Sequence, residues 1–272
     1  MWSGLNQSTK NAWPSAHALL KSRLAAWMKA SDPVIPVLKR IRGKFFWVHP
    51  RLLTTAAVDH EPHIYQWIQE NLPRRGVLFD VGAHYGWISL HAAVHAGREG
   101  RVIAFEASPV LIDLLRYHQR RNRLPQMTVI DKAVSDTDDR IAEFHLLNGG
   151  LSSRNSLTIG RASLPFLDAA EKTPIGVSTL QLDTFCERTG LIPNVIKIDV
   201  EGAEAMVLRG ASSILTKCHP AVILSVHPYW LPPGDAPSDI LASMDRYGYR
   251  VQQSHLMHYE GYETGDYLFL WS

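Results

Sequence analysis

The chain has 272 residues, 46% of them hydrophobic and 20% charged, with a formal net charge of +2. That length suits one α/β domain plus an extension, and the apolar share supports a sizeable core. No apolar run approaches the length of a membrane span. Two cysteines far apart, Cys186 and Cys218, exclude a disulfide framework or cysteine metal site and favour a reducing, cytoplasmic setting.

The charge is uneven along the chain. Residues 1–75 hold 11 Lys or Arg against 4 Asp or Glu, and the first 31 hold no acid. This basic arm has three readings: a helical cap packed on the domain, a peripheral contact with an anionic membrane, lipid-linked glycan or acidic partner, or a cleaved targeting segment. Leu19, Leu20, Leu24, Trp27 and Met28 fall near helical spacing, so a helix is expected over Ala16–Lys29. Lys21, Arg23 and Lys29 interrupt that apolar segment and disfavour a secretory signal. Val34 to Trp47 alternates apolar and basic residues without declaring its state, and Pro62–Asn71 reads as a short helix. The division expected is a basic, partly helical extension over 1–60 and a domain over 61–272.

From Gly76 the pattern becomes strand, helix, strand. Strands are expected at Val77–Val81, Val102–Glu106, Met127–Ile130, Asn194–Val200 and Ala221–Val226, with helices after Gly86, Pro109 and Ala203. Ile141–Leu147 and Val177–Leu180 read as an added antiparallel pair. Between them, 148–176 is rich in Gly, Ser, Asn and Pro, and is expected to act as a substrate lid. A helix near Ser238–Tyr247 and strands near Tyr249–Gln253 and Tyr267–Trp271 close the chain.

Two segments carry the chemistry. Val77–Gly86 ends an apolar strand in Asp80 and turns on Gly82 and Gly86 into a helix, which lets backbone approach a nucleotide closely. The middle glycine of a dinucleotide fingerprint is missing, and no phosphate-cradling G-x-x-x-x-G-K-[ST] occurs. Glu106, about twenty residues beyond the turn, suits a ribose diol. Val195–Glu204 carries Lys197, Asp199 and Glu201 into a second glycine turn. Charges at a buried strand end are costly unless paired or used.

The order of motifs resembles the FkbM family of class I S-adenosylmethionine-dependent methyltransferases. The residues are Asp80–Gly86 (D-V-G-A-H-Y-G), Phe105–Pro109 (F-E-A-S-P), Ala133–Asp136 (A-V-S-D), Thr179–Phe185 (T-L-Q-L-D-T-F) and Ile196–Glu204 (I-K-I-D-V-E-G-A-E). Their register covers about Glu61 to about His227. His84 stands where the family usually has Asn; both tolerate positive φ, but the hydrogen bond Asn would give the cofactor is lost.

The resemblance implies a Rossmann-like sheet of order 3-2-1-4-5-7-6 and methyl transfer to a hydroxyl of a sugar, glycan or other natural product. The implied cofactor residues are Asp80, Gly82, Ala83, His84, Gly86, Glu106, Ala107, Ser108, Lys132, Ala133 and Asp199. Asp80 would order the glycine loop, Ser108 would approach the adenine, and backbone near Asp131–Ala133 would meet the ring edge. Asp199 or His227 would act as base, with Glu201 beside them and Lys197 pairing Asp199 or Glu204. The bland alternative is a salt-bridge network supporting the turn. Some methyltransferases of this fold hold a divalent cation at these strand ends, and Asp199, Glu201 and His227 suit Mg2+ in type. Other readings are a non-catalytic cofactor-binding relative, a nucleic-acid methyltransferase using the basic arm, and an NAD-type oxidoreductase. Oligomeric state stays open.

Overall fold

The computed structural model describes residues 35–52, 61–158, 172–259 and 262–272. The helix expected over Ala16–Lys29 and the middle of the expected lid, 159–171, lie outside them.

Seven strands form the central sheet. Five run parallel: β3 (Val77–Val81), β4 (Arg101–Phe105), β5 (Met127–Ile130), β9 (Val195–Ile198) and β10 (Ala221–Val226). The hairpin β11 (Tyr249–Tyr259) and β12 (Tyr262–Trp271) joins antiparallel through β12. The spatial order is β11-β12-β10-β9-β3-β4-β5; counting only these strands along the chain, it reads 3-2-1-4-5-7-6 from the β5 edge.

Strand alternation feeds two cores. Leu78 points to one face and Phe79 to the other, both fully buried. On the first face lie α1 (Pro62–Asn71), α2 (Trp87–Ala96) and α3 (Pro109–Arg121). On the second lie α4 (Leu182–Thr189), α5 (Glu204–Arg209), α6 (Ser212–Cys218) and α7 (Pro237–Arg246). Phe79, Phe105 and Phe185 meet edge to face there, with centroids 5.2–5.6 Å apart. Each such side chain contributes roughly 1.5–3 kcal/mol on burial.

Several elements differ from expectation. Within 37–48, where the sequence left the state open, the chain forms a hairpin, β1 (Val37–Ile41) and β2 (Lys44–Val48). Ile41, Phe46 and Val48 pack into the first core, and Asn122 closes the β2 edge: its amide accepts from Trp47 N–H and donates to Trp47 C=O, both at 2.8 Å. The helix expected after Ala203 splits into α5 and α6. Asp183 explains the break: its N–H donates to Gly210 C=O (2.9 Å), and its carboxylate accepts from Ser213 and Ile214 N–H (2.8 and 2.9 Å), starting α6 anew.

A small sheet, β6 (Ala133–Val134), β8 (Lys172–Leu180) and β7 (Ile141–Leu147), stands beside β5. Strand β8 pairs antiparallel with β7 from Lys172 to Ser178 and parallel with β6 at Thr179 and Leu180, so it starts five residues earlier than its apolar end suggests. The C-terminal hairpin is likewise longer than expected.

Candidate active site

The carboxyl ends of β5, β4, β3, β9 and β10 open side by side into one cavity of about 510 Å3. At about 4.8 Å per strand these ends span about 19 Å. Along that span lie Lys132 and Ala133 after β5, Glu106 and Ala107 after β4, Gly82, Ala83 and His84 after β3, Asp199 and Glu201 after β9, and His227 after β10. Such a crevice is where open α/β sheets bind ligands.

The glycine loop is held by the neighbouring strand. Gly82 and Ala83 N–H donate to Phe105 C=O (3.1 and 3.0 Å), and His84 N–H donates to Glu106 Oε2 (2.9 Å). Gly82 has φ +77°, and a Cβ there would lie 1.9 Å from the Asp199 carbonyl oxygen. Only glycine lets this loop pass so close to the end of β9.

Glu106 Oε1 accepts from Ala107 and Ser108 N–H, both at 2.9 Å. Those two bonds fill Oε1, while Oε2 keeps a lone pair beyond its bond to His84. The Glu106 carboxylate is therefore fixed in place with acceptor capacity left toward the cavity.

His84 adopts the left-handed conformation (φ 52°) that its position demands. Burial holds its imidazole down to about 4, so it is neutral at physiological pH. The ring lies on Tyr85, with centroids 3.7 Å apart, and Nε2 stands 3.3 Å from Leu151 C=O. Tyr85 O–H also donates to Leu151 C=O (2.8 Å). Residue 84 thus ties the glycine loop to the following insertion, instead of offering an amide to a ligand.

The described start of that insertion is anchored at several points. Ser108 Oγ and Asn155 Nδ2 donate to Gly150 C=O (both 2.8 Å), Ser156 Oγ donates to Glu201 C=O (2.5 Å), and Thr158 Oγ1 donates to Trp230 C=O (3.0 Å).

Charge concentrates at the far end. Lys197 Nζ donates to Asp199 Oδ2 (3.1 Å) and Gly82 C=O (3.2 Å), and lies 3.6 Å from Asp80 Oδ1. Its partners are Asp199 and Asp80; the alternative partner Glu204 is instead bonded to His227 Nδ1 (3.0 Å) and Gly202 N–H (3.0 Å). The distance is topological: Lys197 points toward β3, whereas Glu204 opens α5 beneath β10.

His227 Nε2 faces Asp199 Oδ1 (3.6 Å) and Glu201 Oε2 (3.8 Å). Burial works against its imidazolium, but Glu201, Glu204 and Asp199 outweigh it and push the group up to about 10. Burial likewise opposes the Asp199 carboxylate, yet Lys197 and His227 hold it below the ordinary range. Glu201 is pushed up to about 7, chiefly by burial. It sits in a left-handed turn (φ 52°), and its Oε2 has no hydrogen-bond partner among the described residues. A strained, under-satisfied carboxylate is a feature of sites rather than of scaffolds.

Three expected ligands do not line the cavity. Asp80 is fully buried behind the loop, where it accepts from Ser89 Oγ (2.5 Å). Gly86 starts α2 and packs on α3; a Cβ there would lie 2.5 Å from Leu115. Ser108 is fully buried, its hydroxyl committed to Gly150. Conversely, Tyr65, Arg154, Tyr229 and Met257 line the cavity without having been singled out. They come from α1, the insertion, the segment after β10 and the C-terminal hairpin, so no local motif marks them.

Residues 80–251 match the family described as the methyltransferase FkbM domain. The chain is similar to the 2-O-methyltransferase NoeI of Sinorhizobium fredii, 28% identical over 148 residues, covering 52% of this chain and 59% of that protein. Among solved structures it is similar to methyltransferase FkbM from Methylobacillus flagellatus: 18% identity, 76% of this chain and 50% of that one, TM-score 0.44. It is also similar to TYW2 of M. jannaschii in complex with AdoMet: 12% identity, 87% of each chain, TM-score 0.45. The match over 80–251 covers well over half of the sequence, and the chain belongs to the FkbM family of S-adenosylmethionine-dependent methyltransferases.

Proposed function

We propose that the protein moves a methyl group from S-adenosylmethionine to a hydroxyl of a sugar, glycan or related natural product. One observation carries the reading: a single cavity holds a fixed carboxylate with a spare lone pair, Glu106, and an ionised carboxylate, Asp199, two strands away. The similarity to a 2-O-methyltransferase supports oxygen as the acceptor atom.

When bound, S-adenosylmethionine supplies an electrophilic methyl on a sulfonium centre. Glu106 Oε2 would receive a ribose hydroxyl, backbone groups at Lys132 and Ala133 would meet the ring edge, and Ala83, His84 and Ala107 would wall the nucleoside. At the opposite end the carboxylates of Asp199 and Glu204 are paired with Lys197 and His227.

The methyl would pass to an acceptor oxygen, the sulfur keeping the electron pair of the broken bond, and Asp199 Oδ1 would take the proton that this oxygen loses. A carboxylate of low basicity suffices, because the oxygen becomes strongly acidic as the new bond forms. His227 carries its own proton at neutral pH and cannot take another; it orients Asp199. Lys197 keeps Asp199 ionised.

Release of S-adenosylhomocysteine across a panel of hydroxylated acceptors tests the reading. Asp199→Asn should leave cofactor affinity within about threefold and cut turnover by about 100-fold or more. Undiminished turnover would remove Asp199 as the proton acceptor.

A second reading follows from the unpartnered Glu201 oxygen. Ligand atoms of Asp199, Glu201 and His227 lie within 4.8 Å of one another, and Glu204 fixes the other ring nitrogen of His227. Two carboxylates and an imidazole suit Mn2+ better than Mg2+, which prefers oxygen alone. Turnover lost to chelation and restored by Mn2+ assigns the trio to a cation; turnover indifferent to chelation assigns it to proton handling.

A further inference from the structure

The β1–β2 hairpin has one face on the core and one bare. Alternation sends Ile41, Phe46 and Val48 inward. The residues between them point out: Leu38 stands opposite Trp47, and Arg40 opposite Phe45. Leu38 is 52% exposed, Phe45 65% and Trp47 44%. A half-buried sheet ordinarily turns polar residues to water. Three large apolar side chains clustered on the free face of ten strand residues depart from that rule, and such patches mark contact surfaces.

The hairpin segment carries one sign of charge, and the acids Glu70 and Asp266 beside it are bonded to Gln66 and His63 respectively. Residues 35–52 hold Lys39, Arg40, Arg42, Lys44 and Arg51 and no acid. Arg121 and Arg123, both exposed, flank Asn122 where it grips Trp47. A groove beside the hairpin is lined by Arg40, Arg42, His63, Gln66, Gln69 and His255, with no carboxylate in its lining. Tyr65 lines both this groove and the large cavity.

This charge selects the occupant. A second copy would bring an equally basic face against the first. The chain's own first 31 residues are also basic and hold no acid, so they are repelled too. Aromatic side chains with basic neighbours are the composition that sits at a headgroup boundary.

We propose that the outer face of the β1–β2 hairpin seats the protein on an anionic lipid surface, with Leu38, Phe45 and Trp47 at the headgroup boundary and Arg40 and Arg42 toward lipid phosphates. Buried Tyr65 lines both the groove beside that surface and the large cavity. This contact is independent of which hydroxyl is methylated.

The test is co-sedimentation of the full chain with vesicles of phosphatidylcholine, with and without phosphatidylglycerol. The expected result is partition to the anionic vesicles alone, weakened by salt. Phe45→Ser with Trp47→Ser should lower that partition about tenfold or more, as should Arg40→Glu, while affinity for S-adenosylmethionine stays unchanged as the check on folding. No preference for anionic vesicles, or equal partition of wild type and the Ser variant, would overturn the proposal. So would a wild-type dimer that the Ser variant converts to monomer with vesicle partition intact.

Discussion

His227 is the residue whose charge the site controls most tightly. Burial disfavours its imidazolium, but three carboxylates hold the proton on up to about 10, against an ordinary 6.5. A value raised by folding stabilises the fold fully below pH 6.5, and that stabilisation is lost as pH climbs through about 10. Glu201, raised to about 7 from 4.5, has the same sign over a lower window. The melting temperature of the cofactor-free protein should therefore fall between pH 6.5 and 10, and the slope should flatten in His227→Gln. A pH series by scanning fluorimetry checks this; parallel profiles for the two proteins would refute it. At this scale Asp199, Glu201, His227 and Glu106 were legible in the sequence, because charges ending apolar strands need a use. Of the two partners expected for Lys197, Asp199 and Glu204, the structure shows Asp199, while the contact with Asp80 was not legible. Whether Lys197 meets Asp80 or Glu204 depends on which strand neighbours β9, and that is not local information.

Among the elements, parallel strands announce themselves as apolar runs buried on both faces, and β3, β4 and β5 match expectation closely. The departures have tertiary causes. The helix after Ala203 keeps its apolar spacing through Gly210 yet breaks, because Asp183, about thirty residues upstream, caps a new start at Ser213 and Ile214. Asp183→Ala leaves those two N–H groups without their acceptor, at a cost of roughly 1–3 kcal/mol. The melting temperature should drop by about 2–8 °C, with cofactor affinity unchanged because Asp183 lies outside the cavity. An unaltered melting temperature would show that the break does not depend on this cap. The β1–β2 hairpin was illegible for a different reason. Leu38, Phe45 and Trp47 share its exposed face with Arg40, so the apolar and basic alternation there does not separate an inner from an outer face.

At the scale of the molecule, the sheet order brings five strand ends into one line, and every functional feature hangs on that line. Asp80 to Gly86, Glu106 and Asp199 to Glu204 lie far apart in sequence but follow adjacent strands. Motif order thus revealed the fold and most of the cavity, including the ends at Lys132 and His227. What it could not reveal were walls supplied by distant segments. Leu151 meets Tyr85 across 66 residues, and Met257 reaches the mouth from the C-terminal hairpin. Among the described residues no helix is long and apolar enough to cross a membrane.

The central claim is that this line of strand ends holds S-adenosylmethionine through Glu106. Calorimetric titration of wild type and Glu106→Gln with S-adenosylmethionine, S-adenosylhomocysteine and NAD+ tests it most directly. The account predicts micromolar binding of both adenosyl ligands, none of NAD+, and a dissociation constant raised about ten- to hundredfold in the variant. Equal affinity in the two proteins, or NAD+ binding in place of the adenosyl ligands, would contradict it.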